Sequence, residues 1–115
     1  MDVIKQIHNH PDGFIIIPKL LFKDPRYSEV SPLSKVLYGF LLDRTGLSVK
    51  NGWVNKTGQT YIYFSQSEVM ERFQCGHDKA VRMMKELENV GLICRIRKGQ
   101  GRCSQIVLIP ISLEV

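Results

Sequence analysis

The apolar positions of this chain change their spacing along its length, and each change predicts an element. Phe14–Ile17 joins one aromatic to three β-branched residues and is closed by Pro18, which predicts a strand. Upstream, residues 8–13 (HNHPDG) carry turn chemistry, strongest at Asp12-Gly13. Lys19–Lys23 predicts a short helical turn that Asp24-Pro25 stops. After Ser31-Pro32, Leu33, Val36, Leu37, Phe40 and Leu41 recur at helical spacing. Ser31 suits the cap because its oxygen can accept a first-turn N–H, and Pro32 suits a position whose N–H is not needed. Gly46 marks the expected end of that helix. Trp53-Val54 and Tyr61–Phe64, joined by Asn55–Thr60 with Gly58 in the turn, predict a small hairpin.

A pair of helices comes next. In SQSEVMERFQ, residues 65–74, Ser65 and Glu68 have the spacing of a capping box, and Val69, Met70 and Phe73 form a short apolar face. Cys75-Gly76 interrupts this helix within three turns. A second begins at once over residues 77–91, HDKAVRMMKELENVG, with Gly76 as its N-cap and Gly91 as its left-handed end. Ala80, Met84 and Leu87 repeat inward, while Lys79, Arg82 and Lys85 recur every three residues on the other side. Two helices joined by a short Gly-containing turn have the pattern of a helix-turn-helix. Leu92–Arg97 and Ser104–Ile109 read as paired strands around Lys98–Cys103, with Cys94 and Ile96 on one face and Ile93, Arg95 and Arg97 on the other. The predicted fold class is therefore α+β, a winged helix-turn-helix with small antiparallel hairpins. All 115 residues form a single domain. The still-apolar end at Ile111–Val115 suggests a cut at a domain boundary, as in the N-terminal part of a longer protein.

Composition narrows the function. The net charge of +5 favours an anionic partner, nucleic acid or a membrane surface. No apolar run is long enough to span a bilayer. Cys75, Cys94 and Cys103 are odd in number and widely spaced, which fits a reducing cytoplasm better than a disulfide framework or a metal knuckle. His8 and His10 have no companion ligands at useful spacing, and no catalytic triad or phosphate-cradling loop is present, so neither an enzyme, a metal site nor a cofactor is expected.

The segment RIRKGQGR, residues 95–102, places four cations and no acid around a Gly-Gln-Gly tip. Taken alone it reads equally well as a solvated turn. Following a helix-turn-helix it reads as a wing, with Lys98 and Arg102 along phosphates, Arg95 and Arg97 lower on the strand, and Gln100 at the tip. The leading end of the second helix suits the major groove of double-stranded DNA. His77, Asp78, Lys79, Arg82 and Lys85 are then the base- and phosphate-facing candidates. Arg82 is the best placed to read a guanine through O6 and N7. Asp78 has a strong alternative role in complementing the helix dipole. Backbone amides at Ser65, Gln66 and Ser67 can hold a phosphate, or simply be capped. Tyr38, Trp53, Tyr61, Tyr63 and Phe64 fit core or interface better than a platform for single strands.

The phrase LLDRTGLSVKNGWVNKTGQTYIYF, residues 41–64, and the upstream FIIIPKLLFKDPRYSEVSPLSK, residues 14–35, resemble the N-terminal domain of the RepA_N-type plasmid replication initiators of Gram-positive bacteria. The resemblance extends over residues 14–110. It implies a winged helix that recognises short origin repeats to initiate DNA replication, often as a homodimer. It also implies a C-terminal region that works with host replication proteins. The family often has Cys-Ser before the recognition helix; here the pair is Cys75-Gly76, so a serine cap is lost. Two other readings stand beside this one. A winged-helix transcriptional regulator differs only through the interval Leu42–Phe64. A protein–protein assembly module is disfavoured by the basic wing and stripe. For a dimer, the contact candidates are the N-terminal strand and the 53–64 hairpin.

Overall fold

The computed structural model describes residues 13–96 and 105–109, with Val3 and Gln6 upstream. The turn expected at residues 8–12 and the wing tip lie outside the described residues. Helix α1 (Leu20–Lys23) buries Leu21 and is followed by a 3₁₀ turn at Pro25–Tyr27. Asp24 caps that turn, accepting from the Arg26 N–H at 2.9 Å. Helix α2 spans Pro32–Asn51 and starts as expected, with Ser31 Oγ accepting from the Ser34 N–H. It does not stop at Gly46. An exposed helical glycine costs only about 1 kcal/mol relative to alanine, which the neighbouring turns outweigh. The helix ends instead at Gly52, whose left-handed φ of 72° lets its N–H reach back to the carbonyls of Ser48 and Val49.

The Phe14–Ile17 segment is not a strand. Among the described residues none of Ile15, Ile16 and Ile17 makes a backbone–backbone hydrogen bond. It lies extended across α2 at Gly39. A Cβ placed there would sit 2.9 Å from Ile17 Cγ1 and 3.2 Å from the Ile16 carbonyl oxygen. β-branched residues predicted the extended backbone correctly, but a helix surface rather than a strand provides the contact. The Lys35 ammonium, 4.6 Å from the centre of the Phe22 ring, adds a cation–π link between α1 and α2.

The expected hairpin forms over residues 53–61, where the Val54–Thr60 bridge is flanked by bonds from the Asn55 N–H to the Gln59 carbonyl at 2.9 Å and from the Tyr61 N–H to the Trp53 carbonyl at 3.3 Å. Asn55 organises its tip by accepting from the N–H groups of Thr57 and Gln59. Beyond its second arm, the partner comes from far along the chain. Strand β1 (Ile62–Tyr63) pairs with β3 (Gln105–Leu108), which also pairs with β2 (Ile93–Ile96). The sheet is antiparallel in the order β1-β3-β2, with Ile62 opposite Ile106 and Cys94 opposite Val107.

Helices α3 (Gln66–Phe73) and α4 (His77–Asn89) pack on each other, and α4 and α2 cover the sheet. Three residues, Gln74–Gly76, turn the chain between them. Gln74 takes a left-handed φ of 49°, and the Cys75 N–H donates to the Met70 carbonyl. The core gathers Leu37, Leu41, Ile62, Val69, Met83, Leu87 and Ile106, all essentially inaccessible to water. Tyr38 and Phe64 belong to it as well.

Gly39 and Gly46 provide a paired test. Gly39→Ala should lower the thermal midpoint, because overpacking of about 1–3 kcal/mol exceeds the helix-propensity gain. Gly46→Ala meets nothing within 4 Å. It should raise stability by about 0.5–1 kcal/mol in calorimetry or denaturant unfolding.

Candidate nucleic-acid interface

Helix α4 is sharply two-faced. Ala80, Met83, Met84 and Leu87 are buried, while His77, Asp78, Lys79, Arg82 and Lys85 are exposed. Met83 joins the inward set that the sequence suggested. Asp78 is fully exposed in the first turn, 3.6 Å from His77 Nδ1, where its charge complements the helix N-terminus. None of Lys79, Arg82 and Lys85 forms an ion pair among the described residues. The helix ends as predicted: Gly91 has φ 79°, and the Leu92 N–H donates to the Leu87 carbonyl at 3.0 Å.

At the start of α3, Ser65 Oγ accepts from the Glu68 N–H at 3.1 Å. Ser65 and Gln66 are half-buried and Ser67 is exposed. The Glu68 carboxylate has a stronger partner than the cap. Arg44 Nη2 donates to it at 2.7 Å while Arg44 Nη1 donates to the Tyr63 carbonyl at 2.8 Å. The same guanidinium stands 4.9 Å from the centre of the Phe64 ring. Arg44 thereby ties α2 to the end of β1 and to the first turn of α3. It holds the Glu68 carboxyl below its ordinary value, with the Ser65 N–H and Arg72 adding to the effect. Sequence reasoning passed over Arg44. Its signal in the sequence was weak, a single cation between Asp43 and Thr45 in the stretch Leu41–Leu47.

The structure gives Arg95 a different neighbour from the one its sequence suggested. Its guanidinium donates to Glu88 Oε1 at 2.9 Å, and its side chain is only 14% exposed. The other wing candidates, Arg97, Lys98, Gln100 and Arg102, lie outside the described residues. Glu86, also unremarked in the sequence, accepts from the Ser31 N–H at 2.6 Å. Of the aromatic candidates, Trp53 stacks on Tyr61 at 6.4 Å, and Tyr61 meets Tyr63 edge-on at 5.6 Å. Trp53 and Tyr63 remain well exposed. Among the described residues no cluster of His, Cys, Asp and Glu could hold a metal, Cys75 and Cys94 are unbridged, and no helix is long and apolar enough to cross a membrane.

A helix-turn-helix completed by a three-stranded antiparallel sheet defines a winged helix. Residues 13–114 match the family described as replication initiator protein A (RepA) N-terminus, and the chain belongs to that family. Three solved structures are similar to it. One, described as the N-terminal domain of a DNA-binding protein, is 32% identical with a TM-score of 0.77, covering 99% of this chain and 86% of that one. A second, from a Rep–DNA complex, is 32% identical with a TM-score of 0.76, at 99% and 86% coverage. The third, an MDR initiator, is 28% identical with a TM-score of 0.75, at 99% and 88% coverage. A 41 kDa protein of Lactobacillus helveticus is 27% identical over 82 residues. The match takes in 71% of this chain but only 23% of that relative.

Because the Glu68 carboxyl is depressed in the folded protein, its contribution to stability is complete above its ordinary value of 4.5 and is lost as pH falls below it. Glu68→Gln should therefore unfold at a lower temperature than the unmodified protein near neutrality. The gap should narrow as the pH is lowered through that window. A gap that did not change with pH would mean that Arg44 leaves the carboxyl charge unstabilised.

Proposed function

We propose that this chain is the sequence-reading domain of a plasmid replication initiator, binding short duplex repeats at the origin through α4. One observation carries the reading. Lys79, Arg82 and Lys85, which form no ion pair among the described residues, make a cationic stripe on the face of α4 opposite its buried side. A helix of this kind enters the major groove leading end first, where base edges carry a full donor and acceptor code. Arg82 reads a guanine; Lys79 and Lys85 meet bases or the nearest phosphates. His77 and Asp78 stand at the leading end. The amides of Ser65, Gln66 and Ser67, braced through Glu68 and Arg44, hold one phosphate. The wing cations Arg97, Lys98 and Arg102, with Gln100, follow the backbone beside the groove, and counterion release makes affinity steeply salt-dependent. The Rep–DNA complex among the similar structures supports the partner class.

This chain acts in the cytoplasm as one domain of a longer initiator, catalyses nothing itself, and leaves contacts with host replication proteins to a region beyond it. It assembles as a homodimer whose twofold matches paired half-sites about one helical turn apart. The exposed Trp53, Val54 and Tyr63 and the exposed Phe14 and Ile16 support the 53–64 and N-terminal segments as its contacts. Light scattering should give twice the monomer mass on DNA; a monomer both free and bound would remove the dimer.

Selection from a random duplex pool should enrich repeated motifs, and failure to enrich any sequence would sink the reading. Arg82→Ala should cost about 1–3 kcal/mol on the enriched duplex and relax preference at one base pair, measured by anisotropy. An equal loss on a scrambled duplex would make Arg82 a phosphate contact. Lys98→Ala should weaken every duplex alike and flatten the salt slope by about one unit. An unchanged slope would take the wing out of the interface.

A further inference from the structure

The last turn of α4 presents an electrostatic puzzle. It contains no basic residue, yet Glu86 and Glu88 lie near the end where the helix dipole disfavours negative charge. They also lie on the helix proposed to approach phosphates. A compensating interaction is needed, and each acid has one. Glu86 accepts from the backbone N–H of Ser31, the residue that caps α2. Glu88 accepts from Arg95 on β2. Two residues apart on a helix is about 200° around its axis, so these contacts grip α4 from opposite flanks. Between them lies the buried face, in which Met83 and Met84 flank Ala80 and Leu87. Methionine is adaptable, and apolar packing is non-directional, so that face alone fixes the depth of the helix better than its roll.

We infer that Glu86 and Glu88 are positioning residues that set the roll of α4, and that Arg95 serves as the anchor for Glu88 rather than as a DNA contact. The inference rests on the proposed duplex reading. A small roll swings the Arg82 guanidinium by more than a bidentate base contact tolerates, whereas a phosphate contact on a flexible lysine adjusts. Loss of the clamp therefore erodes discrimination between sequences before it erodes affinity for DNA in general.

The test measures binding of Glu86→Ala, Glu86→Gln, Glu88→Ala and Arg95→Ala to two duplexes over a range of salt. One duplex is the sequence selected by the unmodified protein from a random pool; the other is its scramble. Circular dichroism shows that each variant is folded. Glu86→Ala, Glu88→Ala and Arg95→Ala should each lower the matched-to-scrambled ratio by roughly three- to tenfold, at the lower end of couplings between neighbouring residues. Glu86→Gln keeps an acceptor for the Ser31 N–H and should restore the ratio. Arg95→Ala should leave the salt slope unchanged. If instead Arg95→Ala flattens the slope by about one unit and weakens both duplexes equally, Arg95 is a phosphate contact and the clamp is refuted. Unchanged discrimination in the two glutamate variants refutes it as well. A selection that enriches no sequence overturns the duplex reading itself and the clamp with it, a result distinct from either of these.

Discussion

Burial of one narrow apolar strip on α4 is the constraint from which the rest of the molecule follows. Ala80, Met83, Met84 and Leu87 have to leave water, and α2, α3 and the sheet supply the surfaces that receive them. Once that strip faces inward, helical geometry decides what faces outward. A 3.6-residue period turns Arg82 and its lysine neighbours to the solvent, with no further instruction from the fold. Specific chemistry is then a question of orientation. Orientation is governed by directional polar contacts rather than by the apolar strip.

Charge is divided accordingly. Three acids of the helical layer are engaged with the protein, Glu68 with Arg44, Glu86 with the Ser31 amide and Glu88 with Arg95, while Asp43, Glu71 and Asp78 face solvent. The cations of α4 are engaged with nothing in the described part of the molecule. A net positive balance by itself argues only for an anionic partner. The clustering of Lys79, Arg82 and Lys85 on the exposed face of α4 is what concentrates that attraction on one side of one helix. Arg44 has a further structural burden, since a single guanidinium joins α2, β1 and α3 while packing on Phe64. These are the elements that carry the first turn of α3 and its exposed Ser67.

Local signals in the sequence described the helical part of the fold well. Ser31-Pro32, the Ser65–Glu68 spacing, Gly76 and Gly91 each act within one turn of the chain, so their chemistry can be read without knowing the tertiary structure. The errors fall where distant segments decide. Phe14–Ile17 has strand composition but rests on a helix, at the one place where Gly39 allows it. The hairpin arm at Tyr61 pairs back with Trp53 as its sequence suggests, but the chain beyond it gives Ile62 and Tyr63 to β3. Gly46 has the residue type of a helix end without the left-handed backbone that Gly52 adopts. The Arg95–Glu88 contact is a different matter, since its two partners lie seven residues apart on a strand and a helix and no composition rule links them. Among the candidate site residues, exposure on α4 follows directly from periodicity. The roles of Arg44, Glu86 and Glu88 depend on three-dimensional neighbours and left almost no mark in the pattern.

The order of strands in the sheet has a consequence for synthesis. The middle strand is the last to be translated, and both of its neighbours depend on it for their hydrogen bonds. While the chain is emerging from the ribosome, β1 and β2 have open edges and only the helices to pack against. Long-range pairing is slow to form because loop-closure entropy must be overcome before any contact rewards it. The helical layer thus has to hold together as a provisional scaffold until Gln105–Leu108 slots between the two waiting strands and closes the domain.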